Sequence, residues 1–284
     1  MCPVRLVFAV FRIGSPVLLN QQNQLKMRTL HILVVAPVIV LMVFAAAARC
    51  KSEPDRPVAP GGFAVLELFT SEGCSSCPPA DALLARIRSE TGDKPVYILA
   101  YHVDYWDHQG WKDRFSSIAF TRRQNRYSRS LSSLLYTPQL VVNGSAECIG
   151  SDEAKVRARI RTALSRPSAA SLETHAEWQN GKLALHYTTK GTGSGDELLV
   201  AVVQKEGISQ VKRGENEGRT LSHVQIVRDL QTYPVSGENT RQIPVPAGFN
   251  TGDWELISFV QNRDTGIISA ASRAVVTTPE TSGK

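Results

Sequence analysis

The stretch Ala64-Val-Leu-Glu-Leu-Phe-Thr-Ser-Glu-Gly-Cys-Ser-Ser-Cys-Pro-Pro-Ala-Asp81 decides how the rest of the chain is read. Ala64 to Phe69 is a short apolar run of strand length, broken only by Glu67. Thr70 to Gly73 reads as a turn, and Pro79 to Ser89 as a helix with Leu83, Leu84 and Ile87 on one face. Cys74 and Cys77 therefore fall between a strand and a helix. A thiolate at a helix N-terminus faces unpaired backbone N–H groups and the positive end of the dipole. Its pKa falls, and the thiolate is the nucleophile. Two intervening residues let Cys77 reach back and resolve a mixed disulfide formed at Cys74. Pro78 and Pro79 suit a first turn whose N–H groups lack intrahelical partners. Ser75 and Ser76 are candidate donors to the thiolate, while Asp81 opposes its ionisation. A closed zinc site needs about four ligands, and no second C-x-x-C exists. A purely stapling disulfide and a buried inert pair are the other readings of the motif.

Working outward, Val96 to Val103 is a second apolar strand, so strand, helix and strand imply a right-handed parallel unit. Ser116 to Leu135 reads as a helix with Phe120, Tyr127 and Leu131 inward and Arg122, Arg126 and Arg129 outward. That arginine face reads as solvated, with an anion site as the alternative. Gln139 to Val142 is a strand, and Asn143-Gly144 marks a hairpin turn. Asp152 to Ser165 is a helix with Ala154, Ile160, Ala163 and Leu164 facing in. Arg166-Pro167-Ser168 reads as a domain boundary. Beyond it, Leu172 to Trp178, Leu183 to Thr188, Leu198 to Gln204, Leu221 to Val227, Trp254 to Val260 and Ile267 to Val276 alternate or run apolar. Regular strands without a long helix point to a small antiparallel sandwich.

The N-terminus has a secretory layout. Arg28 precedes an apolar run from Leu30 to Phe44, and Ala46-Ala47-Ala48 supplies a small-x-small cleavage site. The run contains Pro37 and is short of the roughly 20 apolar residues of a membrane span. Met27 is the candidate true start, which makes residues 1–26 an upstream extension. A retained anchor is the alternative, and lipidation at Cys50 is disfavoured by Arg49. Cleavage after Ala48 removes Arg5, Arg12, Lys26 and Arg28, lowering the basic residues from 32 to 28 against 26 acids and the net charge from +6 to +2. The basic balance then lies mostly in the removed segment, which weakens a nucleic-acid reading. Four cysteines remain, Cys50, Cys74, Cys77 and Cys148, an even set that permits disulfides in an exported chain. Lys51 to Gly62 is rich in Pro, Gly and charge. The expected layout is a signal peptide over 1–48, a linker over 49–62, and domains over 63–166 and 167–284.

Several segments together carry a resemblance. Val65 to Phe69, Cys74-Ser-Ser-Cys77, the strand ending at Val103-Asp104, and Tyr136-Thr-Pro-Gln-Leu-Val-Val-Asn-Gly144 resemble the thioredoxin core. Glu67 to Asp81, His102-Val-Asp-Tyr-Trp-Asp107, Gly110-Trp-Lys-Asp113 and Tyr136-Thr-Pro138 look like the exported thioredoxin-like family labelled domain of unknown function 1223. Arg213-Gly-Glu-Asn216, Arg219, Leu221 and His223 match its later signature. The resemblance implies an α/β thioredoxin-like domain followed by a small, mostly-β, sandwich-like domain. It implies that Pro138 is a cis-proline packed beside Cys74 and that the Thr137 backbone pairs with extended substrate. It also suggests Glu67 as the buried carboxylate that moves the proton of Cys77, since a desolvated glutamate titrates high.

His102, Asp104, Trp106, Asp107 and Trp111 follow the second strand at its C-terminal end, where open α/β sheets carry their sites. The expected function is an extracytoplasmic thiol–disulfide oxidoreductase, periplasmic or secreted. Cys74 attacks, Cys77 resolves, and Pro138 and Glu67 assist. Thr137, His102, Asp104 and Trp106 face the substrate. The dithiol carries the electrons, so no cofactor or resident metal is expected. The partners are a protein or small-thiol disulfide substrate and a redox partner, with no nucleic acid and no stable membrane insertion. Two alternatives stand beside this: a Cu(I)-binding or delivery protein using Cys74, Cys77 and His102, and a non-catalytic binding module.

Overall fold

The computed structural model describes residues 61–179 and 182–277. The signal segment over 1–48, Cys50 and nearly all of the linker lie outside the described residues. The described residues fall within one compact unit.

The cysteine turn sits in a β-α-β unit. Strand β1 (Ala64–Thr70) leads into helix α1 (Pro78–Thr91), which returns to β2 (Val96–His102), parallel to β1. Strand β3 (Gln139–Val142) lies antiparallel on the other side of β1, and β4 (Ala146–Ile149) closes that edge. The β3–β4 turn places both Asn143 (φ 48°) and Gly144 (φ 63°) in the left-handed region, the primed-turn geometry that Asn-Gly favours. The Asn143 side chain then pins the start of β1, accepting from Val65 N–H at 2.6 Å and donating to Phe63 C=O at 2.9 Å. Helices α2 (Ile118–Ser130) and α3 (Glu153–Leu164) complete the helical part. Leu131 lies beyond the end of α2, and Ala154 is exposed on α3, where Val156 takes the buried place.

Strands β5 (Ser171–Gln179), β6 (Lys182–Lys190), β7 (Asp196–Gln210), β8 (Thr220–Pro234), β9 (Glu238–Ile243), β10 (Trp254–Asn262) and β11 (Ile268–Thr277) follow. They join the first four in a single sheet of order β4-β3-β1-β2-β8-β7-β10-β11-β5-β6-β9. The α/β thioredoxin-like class expected from the resemblance is therefore corrected. The protein is mostly β, an 11-stranded mixed sheet with three short helices among the described residues. The physical reason is the free edge of β2. β8 pairs with it in parallel, Ala100 opposite Ile226, so the later strands extend the sheet.

Side-chain alternation builds the core on both faces. On β7, Leu199, Ala201 and Val203 join Phe69, Tyr101, Phe120 and Tyr127 beneath α2. Leu198, Val200 and Val202 point the other way, against Leu183, Leu185 and Trp254, where β5 and β6 fold over. A third cluster seats α1 and α3 on β1 and β3 through Leu66, Leu68, Leu83, Leu84, Ile87, Val156 and Ile160.

Candidate functional site

Cys74 and Cys77 are joined as a disulfide where β1 hands over to α1. Cys77 is the residue that caps α1, and its carbonyl accepts from Ala80 N–H (2.9 Å) and Asp81 N–H (3.2 Å). Pro78 and Pro79 have no N–H to offer, so the first turn presents fewer unpaired donors to a sulfur than the motif alone suggests. Hydroxyls take their place. Thr137 Oγ1 donates to Cys74 Sγ at 3.3 Å, and Ser76 Oγ lies 3.3 Å from the same sulfur. Trp106 Nε1 in turn donates to Thr137 Oγ1 at 2.9 Å, which aims the threonine hydrogen toward sulfur. The Thr137–Pro138 peptide is cis, and Pro138 C=O accepts from Gly150 N–H at 2.9 Å.

Both cysteines are 0% exposed, while Ser75 and Ser76 stand in solvent. The β7–β8 loop is clipped onto the main chain of this turn. Asn216, itself buried, donates from Nδ2 to both Glu72 C=O and Cys74 C=O, each at 2.9 Å. Arg219 Nη1 donates to Asn216 Oδ1 at 2.8 Å and orients the amide. Glu215 Oε2 accepts from Ser75 N–H at 3.0 Å, and this contact holds its carboxyl below the ordinary range. Gly214 (φ 79°) lets the loop pass close to Gln109 and Trp111.

Behind the disulfide lies a buried ionisable cluster. His102 Nδ1 is 2.6 Å from Asp113 Oδ2, which also accepts from Glu72 N–H at 2.9 Å. Glu72 Oε2 accepts from Trp111 Nε1 at 2.7 Å. His223, on β8, lies with Nε2 3.6 Å from Glu72 Oε1 and Nδ1 3.9 Å from Asp81 Oδ1. Asp81 Oδ2 accepts from Thr70 Oγ1 at 3.1 Å. Burial disfavours the imidazolium of His223, but Asp81 and Glu72 outweigh it and push its pKa up to about 9. Burial likewise opposes the charge on Glu72 and Asp113. His223 chiefly returns Glu72 below its ordinary value, and His102 does the same for Asp113.

Thr137 thus touches the Cys74 sulfur, Trp106 reaches it through Thr137, and Pro138 follows on a cis peptide. His102 belongs to the buried cluster. Asp104 instead ties the end of β2 to α2, its Oδ1 accepting from Thr121 Oγ1 at 2.5 Å. Glu67 is engaged elsewhere. It is fully buried against Arg123, whose Nε donates to Oε1 at 2.6 Å, and Tyr127 O–H donates to Oε2. Both partners lie on α2, so Glu67 serves the packing of that helix and does not face the cysteine turn. Among the described residues no group of three or more His, Cys, Asp or Glu side chains is placed to hold a metal ion. Cys148 is buried under α3, where burial pushes its thiol up to about 11; Cys50 lies outside the described residues.

Glu72, Asp113, Asn216 and His223 carry no role in the sequence reading. The signal was present in Gly110-Trp-Lys-Asp113 and Arg213-Gly-Glu-Asn216…His223, motifs that a β strand brings to the cysteines from far along the chain.

A family model described as "Protein of unknown function (DUF1223)" matches residues 65–261. Two solved structures are similar. Protein AGR_C_4864 from Agrobacterium tumefaciens is 29% identical at a TM-score of 0.59, over 74% of this chain and 92% of that one. HBP35 of Porphyromonas gingivalis, 15% identical at a TM-score of 0.54 over 79% of each chain, shares the fold. No curated protein matches this chain. Among the described residues no helix is long and apolar enough to cross a membrane.

Proposed function

This chain belongs to the DUF1223 family, and we propose that it is an exported thiol–disulfide oxidoreductase whose working couple is Cys74–Cys77. The observation that carries this reading is the hydrogen-bond chain Trp106 N–H to Thr137 O–H to Cys74 Sγ, at 2.9 and 3.3 Å. A disulfide that only staples a turn needs no donor aimed at its sulfur. A hydroxyl and an indole N–H lined up on Cys74 are what a developing thiolate requires.

In this reading an incoming thiolate attacks Cys74, the S–S bond breaks, and the electron pair goes to Cys77. The second thiolate of the substrate dithiol then attacks the mixed disulfide, so the substrate leaves as its own disulfide and Cys74 is freed as a thiolate; in the reverse direction the Cys74 thiolate attacks a substrate disulfide and Cys77 attacks the mixed disulfide to expel the reduced substrate. The Thr137 and Ser76 hydroxyls stabilise negative charge on Cys74 in place of backbone N–H groups. The Asn216 clip must swing away first, because the sulfurs are fully covered. The substrate is a protein or small-molecule disulfide or dithiol, supplied outside the cytoplasm by the export signal read over residues 1–48.

The experiment is disulfide exchange with insulin or a model peptide by the mature protein. Wild type is expected to accelerate exchange, and Cys74→Ser to abolish the acceleration. Equal rates for the two proteins would remove the enzyme reading.

A further inference from the structure

The strongest anomaly outside the disulfide is the cluster behind it. Glu72, His102 and His223 are each at least nine-tenths buried. Yet Glu72 Oε1, His102 Nε2 and both His223 nitrogens make no hydrogen bond. Orphaned buried polar atoms are rare and costly, so four in one place call for a function. They face one another. The two imidazole rings meet edge to face at 4.8 Å, and His223 stands between the carboxylates of Glu72 and Asp81. The cluster adjoins the cysteine turn along α1. Asp81 lies one helical turn after Cys77, with its N–H on the Cys77 carbonyl, and both are buried on the inner face of α1. Helical side chains lean toward the preceding turn, which brings the Asp81 carboxyl toward Cys77.

We infer that His223 and Asp81 form a proton relay for Cys77, with Glu72 holding His223 in place. This rests on the oxidoreductase reading. When a dithiol reduces the disulfide, its two electrons break the S–S bond and it leaves as its own disulfide. Cys74 departs as a thiolate, and the Cys77 sulfur takes a proton from the His223 imidazolium through the Asp81 carboxylate. The dithiol's two protons go to solvent, and one recharges His223. On oxidation the proton runs back, from Cys77 through Asp81 to neutral His223, as Cys77 becomes the attacking thiolate. The groups facing His223 are Glu72 from the β1–α1 turn, Asp81 from α1, the His102 ring from β2 and the Phe115 ring. Asp113 stands behind His102, and Arg114 and Arg228 lie over Phe115. Glu67 is thereby replaced in the proton role the sequence suggested for it.

The test is the rate of reduction of the Cys74–Cys77 disulfide by dithiothreitol as a function of pH, corrected for the ionised fraction of the reagent. In wild type the corrected rate should fall as pH rises through about 9, where His223 loses its proton. His223→Gln should be slower by about 10²-fold at neutral pH and should lack that fall, as loss of a general acid predicts. Asp81→Asn should behave alike. A merely structural histidine would leave the shape of the profile unchanged, and identical profiles in wild type and variant overturn the relay. If His223→Gln does not fold, the wild-type profile decides, since a flat corrected rate between about pH 8 and 10 overturns it equally. Dithiothreitol reduces the bond whether or not a physiological partner exists, so a failed relay and a failed exchange assay are separate outcomes.

Discussion

Replacing Asn216 with alanine should expose the disulfide. The amide of this one buried residue supplies the donor to two main-chain carbonyls, those of Glu72 and Cys74, and accepts in turn from Arg219. Truncation leaves both carbonyls without that donor. A buried acceptor stripped of its partner costs about 1–3 kcal/mol. The closed state loses this energy, whereas in the open state solvent satisfies both carbonyls. Counting the two carbonyls together as one such loss, the opening equilibrium rises by roughly 5- to 150-fold at about 1.4 kcal/mol per factor of ten. Because both sulfurs are 0% exposed when the loop is closed, reduction by a small dithiol should speed up by the same factor. The assay is the pseudo-first-order rate of disulfide loss under excess dithiothreitol at fixed pH, followed by counting thiols. Thermal unfolding of the variant should fall by about 2–4 °C for each kcal/mol lost. An unchanged reduction rate in a variant whose melting temperature has dropped would show that the loop does not control access to the cysteines.

Three further outcomes follow from the same geometry. Arg123→Met removes the cation paired with fully buried Glu67 and should cost about 3–5 kcal/mol in urea unfolding; the double variant Arg123→Met/Glu67→Gln should recover part of that loss, and equal losses would contradict a charge-based cause. For His223, whose pKa is raised from 6.5 to about 9, the stabilisation is fully present below pH 6.5 and is lost as pH climbs through about 9. The melting temperature should therefore decline across that window in wild type and less so in His223→Gln, and parallel curves would refute the ion cluster. Glu72 and Asp113 are held below their ordinary values, so their contribution disappears as pH drops through the acid range, and variants at either position should flatten the acid limb of the same melting curve.

Local physics was readable where sequence neighbours do the work. The β1-turn-α1 segment and the Asn143-Gly144 turn depend on short-range spacing and turn chemistry, whereas Thr137 meets Cys74 across 63 positions, a contact that only the family resemblance suggested. The sheet as a whole was not readable in this way. Six of the seven strands after Pro167 announce themselves by alternation or an apolar run, polar β9 being the one missed, but nothing in Ile226 says that its partner is Ala100 on β2. Segment-by-segment reading therefore separated what the backbone joins, and a mostly-β sheet was taken for two folds. Glu67 shows the same limit. A carboxylate on the strand before a C-x-x-C has two faces to choose from, and the arginine that claims it stands 56 positions away on α2. Asn216 and His223 were visible as motif letters, but their work depends on β7 and β8 carrying a loop back over the cysteine turn.

The most direct measurement is the reduction potential of the Cys74–Cys77 couple, by equilibration with glutathione or dithiothreitol buffers. A working couple with donors aimed at Cys74 should fall in the range of known exchange proteins, roughly −270 to −120 mV. A value below about −300 mV, unchanged in Thr137→Val, would mark the bond as a structural staple and contradict the account.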